Sequence, residues 1–81
     1  MTPVPILLPE LGVEVGRFSL WYVRPGEAVT AGDRVAEILI PGLTIDVAAP
    51  ADGVLRERLA LPGDVVHRGQ SLGLIEPPAD P

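Results

Sequence analysis

Apolar and polar residues alternate along short stretches of the chain, and the clearest alternation flanks a Pro-Gly pair at positions 41 and 42. In Val35–Ile40 the polar Glu37 stands between apolar neighbours, and in Leu43–Ala48 the polar Asp46 does the same. A period of two is typical of half-buried β-strands. The pattern therefore predicts a β-hairpin. Because Pro-Gly favours a type II turn, which fits a two-residue hairpin poorly, we expect a loop slightly longer than two residues.

Turn residues divide the rest of the chain into further short apolar runs, and none is long enough or suitably periodic for a helix. Val4–Leu8 is surrounded by prolines that cannot donate to a sheet, so we expect it at a sheet edge or paired on one side only. The sequence predicts an all-β chain. The predicted strands outside the hairpin are Val4–Leu8, Arg17–Val23, Ala28–Val29, Val54–Leu61, Val65–Val66 and Ser71–Ile75.

The chain repeats itself with a shift of 37 residues. Both halves read strand, Pro-Gly-acid, Val, Gly, strand, and we interpret the repeated glycines as turn residues. The repeat predicts two similar halves related by a pseudo-twofold axis, each supplying one layer of a sandwich. It also places the Pro-Gly tip at one end of the domain and both termini at the other. The matched pairs are Gly16 with Gly53, Pro25 with Pro62, Gly26 with Gly63, Val29 with Val66, Gly32 with Gly69 and Ile38 with Ile75.

The composition of the chain excludes several kinds of site and partner. The chain has 81 residues, no cysteine and a net charge of −5, with eleven acids against six basic residues. We expect one domain, no disulfide, no thiolate metal site and no nucleic-acid partner. No apolar run reaches the roughly 20 residues that span a bilayer, and no signal peptide is visible. We therefore expect a cytoplasmic protein that does not bind membranes.

Candidate catalytic chemistry is also missing from the sequence. His67, the single histidine, lies in a predicted turn without a nucleophile or carboxylate at catalytic spacing. The glycines do not form a phosphate-binding G-x-G-x-x-G motif. We therefore predict neither an enzyme nor a metal site. All six basic residues are arginine, and the chain contains no lysine.

Several short motifs follow one another without gaps, and their order resembles the lipoyl/biotinyl domain family. The likeness is greatest to the lipoyl domain of the acyltransferase component of 2-oxo acid dehydrogenase complexes, and it runs from Ile6 to Glu76. It implies a flattened β-barrel or sandwich of two four-stranded antiparallel sheets. We accordingly predict one lipoyl-like domain over residues 1–76 and a Pro/Ala-rich tail or linker start at 77–81. The motifs are Leu8–Gly12, Val23–Val29, Ala31–Asp33, Ala36–Ile38, Thr44–Pro50 and Ala51–Leu55.

The departure from the family lies at the hairpin tip. The family carries a lysine there that takes lipoate through an amide bond, and the ungapped match places that lysine at Gly42 and its preceding aspartate at Pro41. Glycine has no side chain to acylate. Arginine cannot substitute, since its guanidinium stays protonated and is a poor nucleophile. The resemblance therefore implies the fold without lipoate or biotin as a cofactor.

Several explanations of this tip remain open. It is a plain loop after loss of modification, a contact surface, or the product of an engineered lysine removal. A contact surface would be formed by Leu39, Ile40, Pro41 and Leu43, with Leu39 pointing away from the core. It would serve a protein that recognises the lipoyl fold, or self-association.

We therefore predict a non-catalytic, lipoyl-like module that acts as a protein-interaction or structural domain. Two carrier-related hypotheses remain beside it. One is the lipoyl carrier domain of an acyltransferase whose lysine has been lost or engineered away. The other is a biotin-carboxyl-carrier-like segment of an export assembly, which is disfavoured because the short loops leave no room for its usual hairpin insert.

Overall fold

The computed structural model describes residues 2–79, and every regular element within them is a β-strand. This confirms the all-β prediction. No helix that could cross a membrane occurs in that range. The strands are β1 (Val4–Leu7), β2 (Val15–Trp21), β3 (Ala28–Val29), β4 (Arg34–Ile40), β5 (Leu43–Ala48), β6 (Gly53–Arg58), β7 (Val65–His67) and β8 (Ser71–Glu76).

The strands form two four-stranded antiparallel sheets, as predicted. One sheet has the order β1-β8-β6-β3 and the other β5-β4-β2-β7. If β5, β4, β2 and β7 are replaced by β1, β8, β6 and β3, the second order becomes the first. This exchange is what a pseudo-twofold axis between two halves requires. Each sheet, however, takes two strands from the first half (β1–β4) and two from the second (β5–β8), so the expectation that each half supplies one layer was wrong. The hairpin tip belongs to one sheet, while the first and last strands lie side by side in the other, with Val4 opposite Ile75.

Backbone hydrogen bonds repeat with the same shift of 37 residues. The Tyr22 N–H donates to the Val35 carbonyl at 2.9 Å, and the Leu59 N–H donates to the Leu72 carbonyl at 2.9 Å. Bonds between the halves obey the same symmetry. The Gly26 N–H donates to Leu55 and the Gly63 N–H donates to Phe18, both at 2.8 Å. The internal repeat is therefore structural and not only a pattern in the sequence.

A small aliphatic core fills the space between the sheets. Phe18 is the one fully buried aromatic residue of the described chain, and its ring centroid lies 5.1 Å from that of the half-buried Trp21. No charged or polar residue is buried among residues 2–79. Aliphatic burial therefore supplies the main stabilisation of the domain. The core residues are Ile6, Leu8, Phe18, Val29, Val35, Ala36, Ile38, Val47, Ala49, Leu55, Ala60, Val66, Leu72 and Ile75.

The expectation of a longer hairpin loop was wrong. Ile40 lies directly opposite Leu43, so Pro41 and Gly42 alone form the loop. Gly42 has a φ of 74°, and the proline ring holds φ near −65°, which together define a type II turn. A bulge between Arg34 and Ala36 lies at the other end of the hairpin. Bulges increase local twist, so the strands can tolerate a turn that fits their twist poorly.

Three other expectations also need correction. His67 was predicted to lie in a turn, but it is the last residue of β7. Gly16 lies inside β2 and Gly53 begins β6, so these repeated glycines are strand residues and not turn residues. Strand β6 ends at Arg58, three residues before the predicted end, because the N–H groups of Leu59 and Ala60 both turn to the Leu72 carbonyl.

The domain's last strand, β8, ends at Glu76, and the predicted Pro/Ala-rich tail begins at the next residue. That tail is described as far as Ala79, and positions 80 and 81 lie outside the described residues.

Candidate functional site

The tip of the β4–β5 hairpin is the candidate site, and its ladder decides which way each side chain points. Ile38 lies opposite Ile45 on the core-facing side, and Leu39 lies opposite Thr44 on the outer side. Leu39 is 38% exposed and Ile38 is fully buried. Leu39 therefore points away from the core, as its alternation in the sequence predicted.

Gly42 is exposed at the second position of the turn, and a β-carbon there would meet no atom within 4 Å. Space therefore does not forbid a side chain, but the positive φ of 74° disfavours one. The turn itself presents no amine, hydroxyl, thiol or carboxylate. No group of His, Cys, Asp or Glu that could hold a metal occurs in the described range.

An open apolar groove of about 340 Å³ runs beside the tip, and we call it the tip groove. It brings together Leu39, Ile40 and Pro41 from the predicted contact set. Leu43 does not line it; it is 56% exposed and stands opposite Ile40 in the ladder. The residues that line the tip groove are Val15, Gly16, Arg17, Leu39, Ile40, Pro41 and Val65.

Sequence reasoning missed Val15, Arg17 and Val65. Arg17 lies opposite Leu39 on one side and Val65 on the other, so three strands present these side chains in one row. Nη1 of Arg17 donates to the Gly63 carbonyl at 2.8 Å, which fixes its guanidinium beside the groove. This row becomes visible only when β2 is paired with both β4 and β7. The internal repeat was the one feature of the sequence that pointed to this pairing.

The pseudo-twofold symmetry produces a second groove, which we call the tail groove. It has a volume of about 470 Å³ and lies where the C-terminal tail leaves β8. The tail groove includes Asp52, Val54 and Glu76 among its lining residues. By the 37-residue shift these correspond to Val15, Arg17 and Leu39 of the tip groove. The fold therefore produces both depressions, and both are lined mostly by apolar residues. The charged residues differ: the tip groove contains one cation, Arg17, and the tail groove contains two acids, Asp52 and Glu76.

A polar cluster lies on the outer surface of the same hairpin. The Tyr22 hydroxyl donates to Oδ1 of Asp46 at 3.3 Å, and Nη1 of Arg34 lies 3.6 Å from Oδ2 of Asp46. The Arg34 guanidinium also stands 4.3 Å from the Tyr22 ring centroid. Partial desolvation of the phenol, followed by the negative charges of Asp46 and Glu37, raises the pKa of Tyr22 above 10.0. The cluster ties β5 to the body of its sheet.

Comparison with known proteins gives one consistent family. A family model described as "Biotin-requiring enzyme" matches residues 4–75. The dihydrolipoyllysine-residue succinyltransferase component of the 2-oxoglutarate dehydrogenase complex from Buchnera aphidicola is 32% identical over 77 residues, covering 93% of this chain. The corresponding component from Pseudomonas aeruginosa is 38% identical over 58 residues, covering 72% of it. The chain spans only 20% and 14% of the lengths of these two relatives.

Solved structures agree with the sequence comparison. The lipoyl domain of the 2-oxoglutarate dehydrogenase complex from Azotobacter vinelandii superposes with a TM-score of 0.68 at 29% identity, covering 96% of this chain and 100% of that one. The urea carboxylase of Kluyveromyces lactis gives a TM-score of 0.82 at 25% identity, covering 94% of this chain and 6% of that one. Sequence motifs, sheet order and relatives converge, and the chain belongs to the Biotin_lipoyl family and is similar to lipoyl domains of 2-oxo acid dehydrogenase acyltransferases.

Proposed function

We propose that this chain is a non-catalytic interaction module with the lipoyl fold that carries neither lipoate nor biotin. The observation that supports this is the absence of any lysine from the chain, together with the glycine at position 42, where the motif resemblance places the family's modified lysine. An amide link to a carboxylic cofactor needs a nucleophilic amine. The six arginines do not supply one, because their guanidinium groups stay protonated.

The surface beside the tip supports an interaction role. Leu39, Pro41, Val15 and Val65 are exposed and apolar, and Arg17 adds one positive charge beside them. Clustered exposed apolar groups with a polar rim are typical of protein-binding surfaces. Relatives of this chain are named as components of a 2-oxoglutarate dehydrogenase complex and of an acetoin cleaving system. The proposed partner is therefore a protein that recognises the lipoyl fold through this tip.

Co-expression with a lipoate ligase and a biotin ligase tests the first half of the proposal. The intact mass of the wild-type chain should stay unchanged in both cases. Added mass of either group would end the proposal. A companion variant is Pro41→Asp with Gly42→Lys, which restores the family's residues at the tip. Removing the proline also frees the turn to change its φ values, so the new lysine need not keep the positive φ of 74°.

The ligase itself tests the second half, because it is a protein that recognises the lipoyl fold. In a titration followed by amide chemical shifts, the affected residues should be those of the tip groove. Leu39→Glu should weaken that binding, while Val54→Glu should not. The two side chains are equally exposed, at 38%, but Val54 lines the tail groove. Equal weakening by both variants would contradict a tip interface.

A second candidate function is a lipoyl carrier domain of an acyltransferase that has lost its lysine. The names of the relatives favour it, since they describe dihydrolipoyllysine-residue transferases. The double variant separates the two histories. Ready lipoylation of that variant would show that the surface read by the ligase survives, which fits a recent loss from a carrier. An unmodified but folded double variant would show that the surface has changed too, which fits an older change of function.

A further inference from the structure

The two sheets end in equivalent edge strands, β5 in one and β1 in the other. A pair of hydrogen bonds fixes the correspondence between them. The Ala49 N–H donates to the Asp33 carbonyl at 2.7 Å, and the Leu8 N–H donates to the Gln70 carbonyl at 2.8 Å. Since Asp33 and Gln70 are related by the internal repeat, Ala49 corresponds to Leu8. Counting back along both strands, Asp46 corresponds to Pro5 and Thr44 to Pro3.

Proline blocks the edge at β1. Pro5 lies in the ladder opposite Leu74, and proline has no N–H, so its nitrogen must face away from β8. Pro3 lies two residues before Pro5 and therefore faces the same side of the strand. A further strand would therefore find no donors at these two positions. Prolines on an edge strand are a known protection against unwanted strand pairing.

The equivalent edge at β5 has no such protection. By the correspondence with Pro3 and Pro5, the N–H groups of Thr44 and Asp46 point outward from the sheet. The hairpin leads to the same result independently. Ile40 and Leu43 flank the two-residue turn as a hydrogen-bonded pair, and antiparallel bonding then alternates, which turns Thr44 and Asp46 outward. Within residues 2–79, neither N–H donates to a loop or turn carbonyl outside the ladder.

We propose that β5 pairs antiparallel with β5 of a second copy of this chain, which joins the two β5-containing sheets into one continuous sheet. The register places Thr44 opposite Asp46 of the second copy and Ile45 opposite Ile45. Both outward N–H groups then donate to carbonyls of the other copy, and both outward carbonyls accept. In this register a twofold axis relates the two copies, so each β5 uses its open edge on the other. The contact is therefore limited to a dimer and does not continue into a fibre.

Side chains favour this register. On the outer face the Thr44 hydroxyl comes next to the Asp46 carboxylate of the second copy, a donor beside an acceptor. On the core-facing side Ile45 meets Ile45, and Leu43 meets Val47. Leu43 is 56% exposed and Ile45 is half-buried, so this pairing covers apolar surface that the single chain leaves in water. A register with Asp46 opposite Asp46 would instead place like charges together.

Charge sets the expected strength. At the contact between the two β5 strands, Nη1 of Arg34 lies 3.6 Å from Oδ2 of Asp46 and offsets the negative charge of that carboxylate. Each copy as a whole, however, carries a net charge of −5. The long-range repulsion between two such copies is screened by salt. We therefore expect the dimer to tighten as the salt concentration rises. This pairing does not depend on whether the tip is modified, so it stands or falls separately from the proposed function.

Sedimentation velocity over a wide range of protein concentrations tests the pairing with matched variants. Thr44→Pro places at β5 the residue that its counterpart Pro3 supplies beside β1, and removes one outward N–H from each copy. Loss of two hydrogen bonds in the symmetric contact should raise the dissociation constant about ten- to hundredfold. Thr44→Val keeps the N–H and should still dimerise. The Thr44 side chain is exposed and makes no hydrogen bond within the described chain, so neither substitution removes a side-chain hydrogen bond from the single copy.

Amide hydrogen exchange gives a second readout on the wild-type chain. Protection of the Thr44 and Asp46 amides should rise with protein concentration, while that of outward amides elsewhere should not. A wild-type chain that stays monomeric at every concentration overturns the proposal. So does an unchanged dissociation constant in a folded Thr44→Pro variant, since the contact would then lie elsewhere. If Thr44→Pro fails to fold, concentration-independent exchange at Thr44 and Asp46 overturns it instead.

Discussion

Gly16 and Ile38 pack so closely that no β-carbon fits between them. A β-carbon on Gly16 would lie 2.7 Å from Cγ2 of Ile38, although Gly16 has no positive φ. The internal repeat reproduces this relationship, because a β-carbon on Gly53 would lie 2.7 Å from Cγ2 of Ile75. Glycine at these two strand positions is therefore required by packing between neighbouring strands.

Gly16→Ala should consequently lower the free energy of unfolding by about 1–3 kcal/mol, the usual cost of overpacking a core. Urea denaturation measures the change. Gly53→Ala should cost more, since its φ of 153° is unfavourable for alanine and its β-carbon would also collide with the Glu76 carbonyl. A Gly16→Ala variant as stable as the wild type would mean that β2 and β4 separate more easily than their packing indicates.

Local patterns predicted the strands well, while contacts between strands escaped them. Alternation and turn residues identified all eight strands because both signals lie within a few neighbouring residues. The row formed by Arg17, Leu39 and Val65 depends on which strands pair, which no local pattern encodes. The same limit explains why Gly16 was mistaken for a turn residue, since its partner Ile38 lies on another strand.

The site was predicted in part for the same reason. The outward direction of Leu39 followed from alternation within one strand. The tip groove, in contrast, depends on how β2 pairs with β4 and β7, which the sequence does not reveal directly. The turn was misjudged in length because the bulge beyond Arg34, which adds twist to the hairpin, leaves no signal in the residues around Pro41.

Gly42→Ala isolates the contribution of the backbone at the tip. The β-carbon would meet nothing within 4 Å, so only the left-handed φ of 74° opposes it. We expect a loss of about 1–2 kcal/mol in the free energy of unfolding, measured by urea denaturation. Gly42→Asn should lose less, because asparagine tolerates a positive φ better. If both variants match the wild type, the turn does not hold Gly42 in the left-handed region.

Trp21→Phe tests a hydrogen bond that joins the two sheets. Nε1 of Trp21 donates to the Ala60 carbonyl at 2.8 Å across the core edge, and phenylalanine keeps an aromatic ring but no donor. The free energy of unfolding should fall by about 1–3 kcal/mol, since the loss leaves a partly buried carbonyl unpaired. Urea denaturation followed by circular dichroism suits this variant, because the chain has no other tryptophan for fluorescence. An unchanged midpoint would indicate that water replaces the lost donor.

Tyr22 provides a spectroscopic probe of the polar cluster on the β4–β5 hairpin. It is the single tyrosine of the chain, so tyrosinate absorbance reports on it alone. Its pKa is raised above 10.0 by partial desolvation and by the charges of Asp46 and Glu37. The folded state thus disfavours the tyrosinate, and the stability that this provides is present below pH 10 and lost as the pH rises through the raised pKa.

Asp46→Asn should move the Tyr22 midpoint down toward 10.0, because the neutral amide removes a nearby negative charge. Glu57→Gln is the matched control: it removes an exposed acid from β6 in the opposite sheet, and the midpoint should stay where it is in the wild type. Identical midpoints in wild type and Asp46→Asn would show that the 3.3 Å contact between the Tyr22 hydroxyl and Asp46 does not persist in solution. Because Asp46 lies on the open edge of β5, the same titration at high protein concentration also reports whether pairing of two copies alters the cluster.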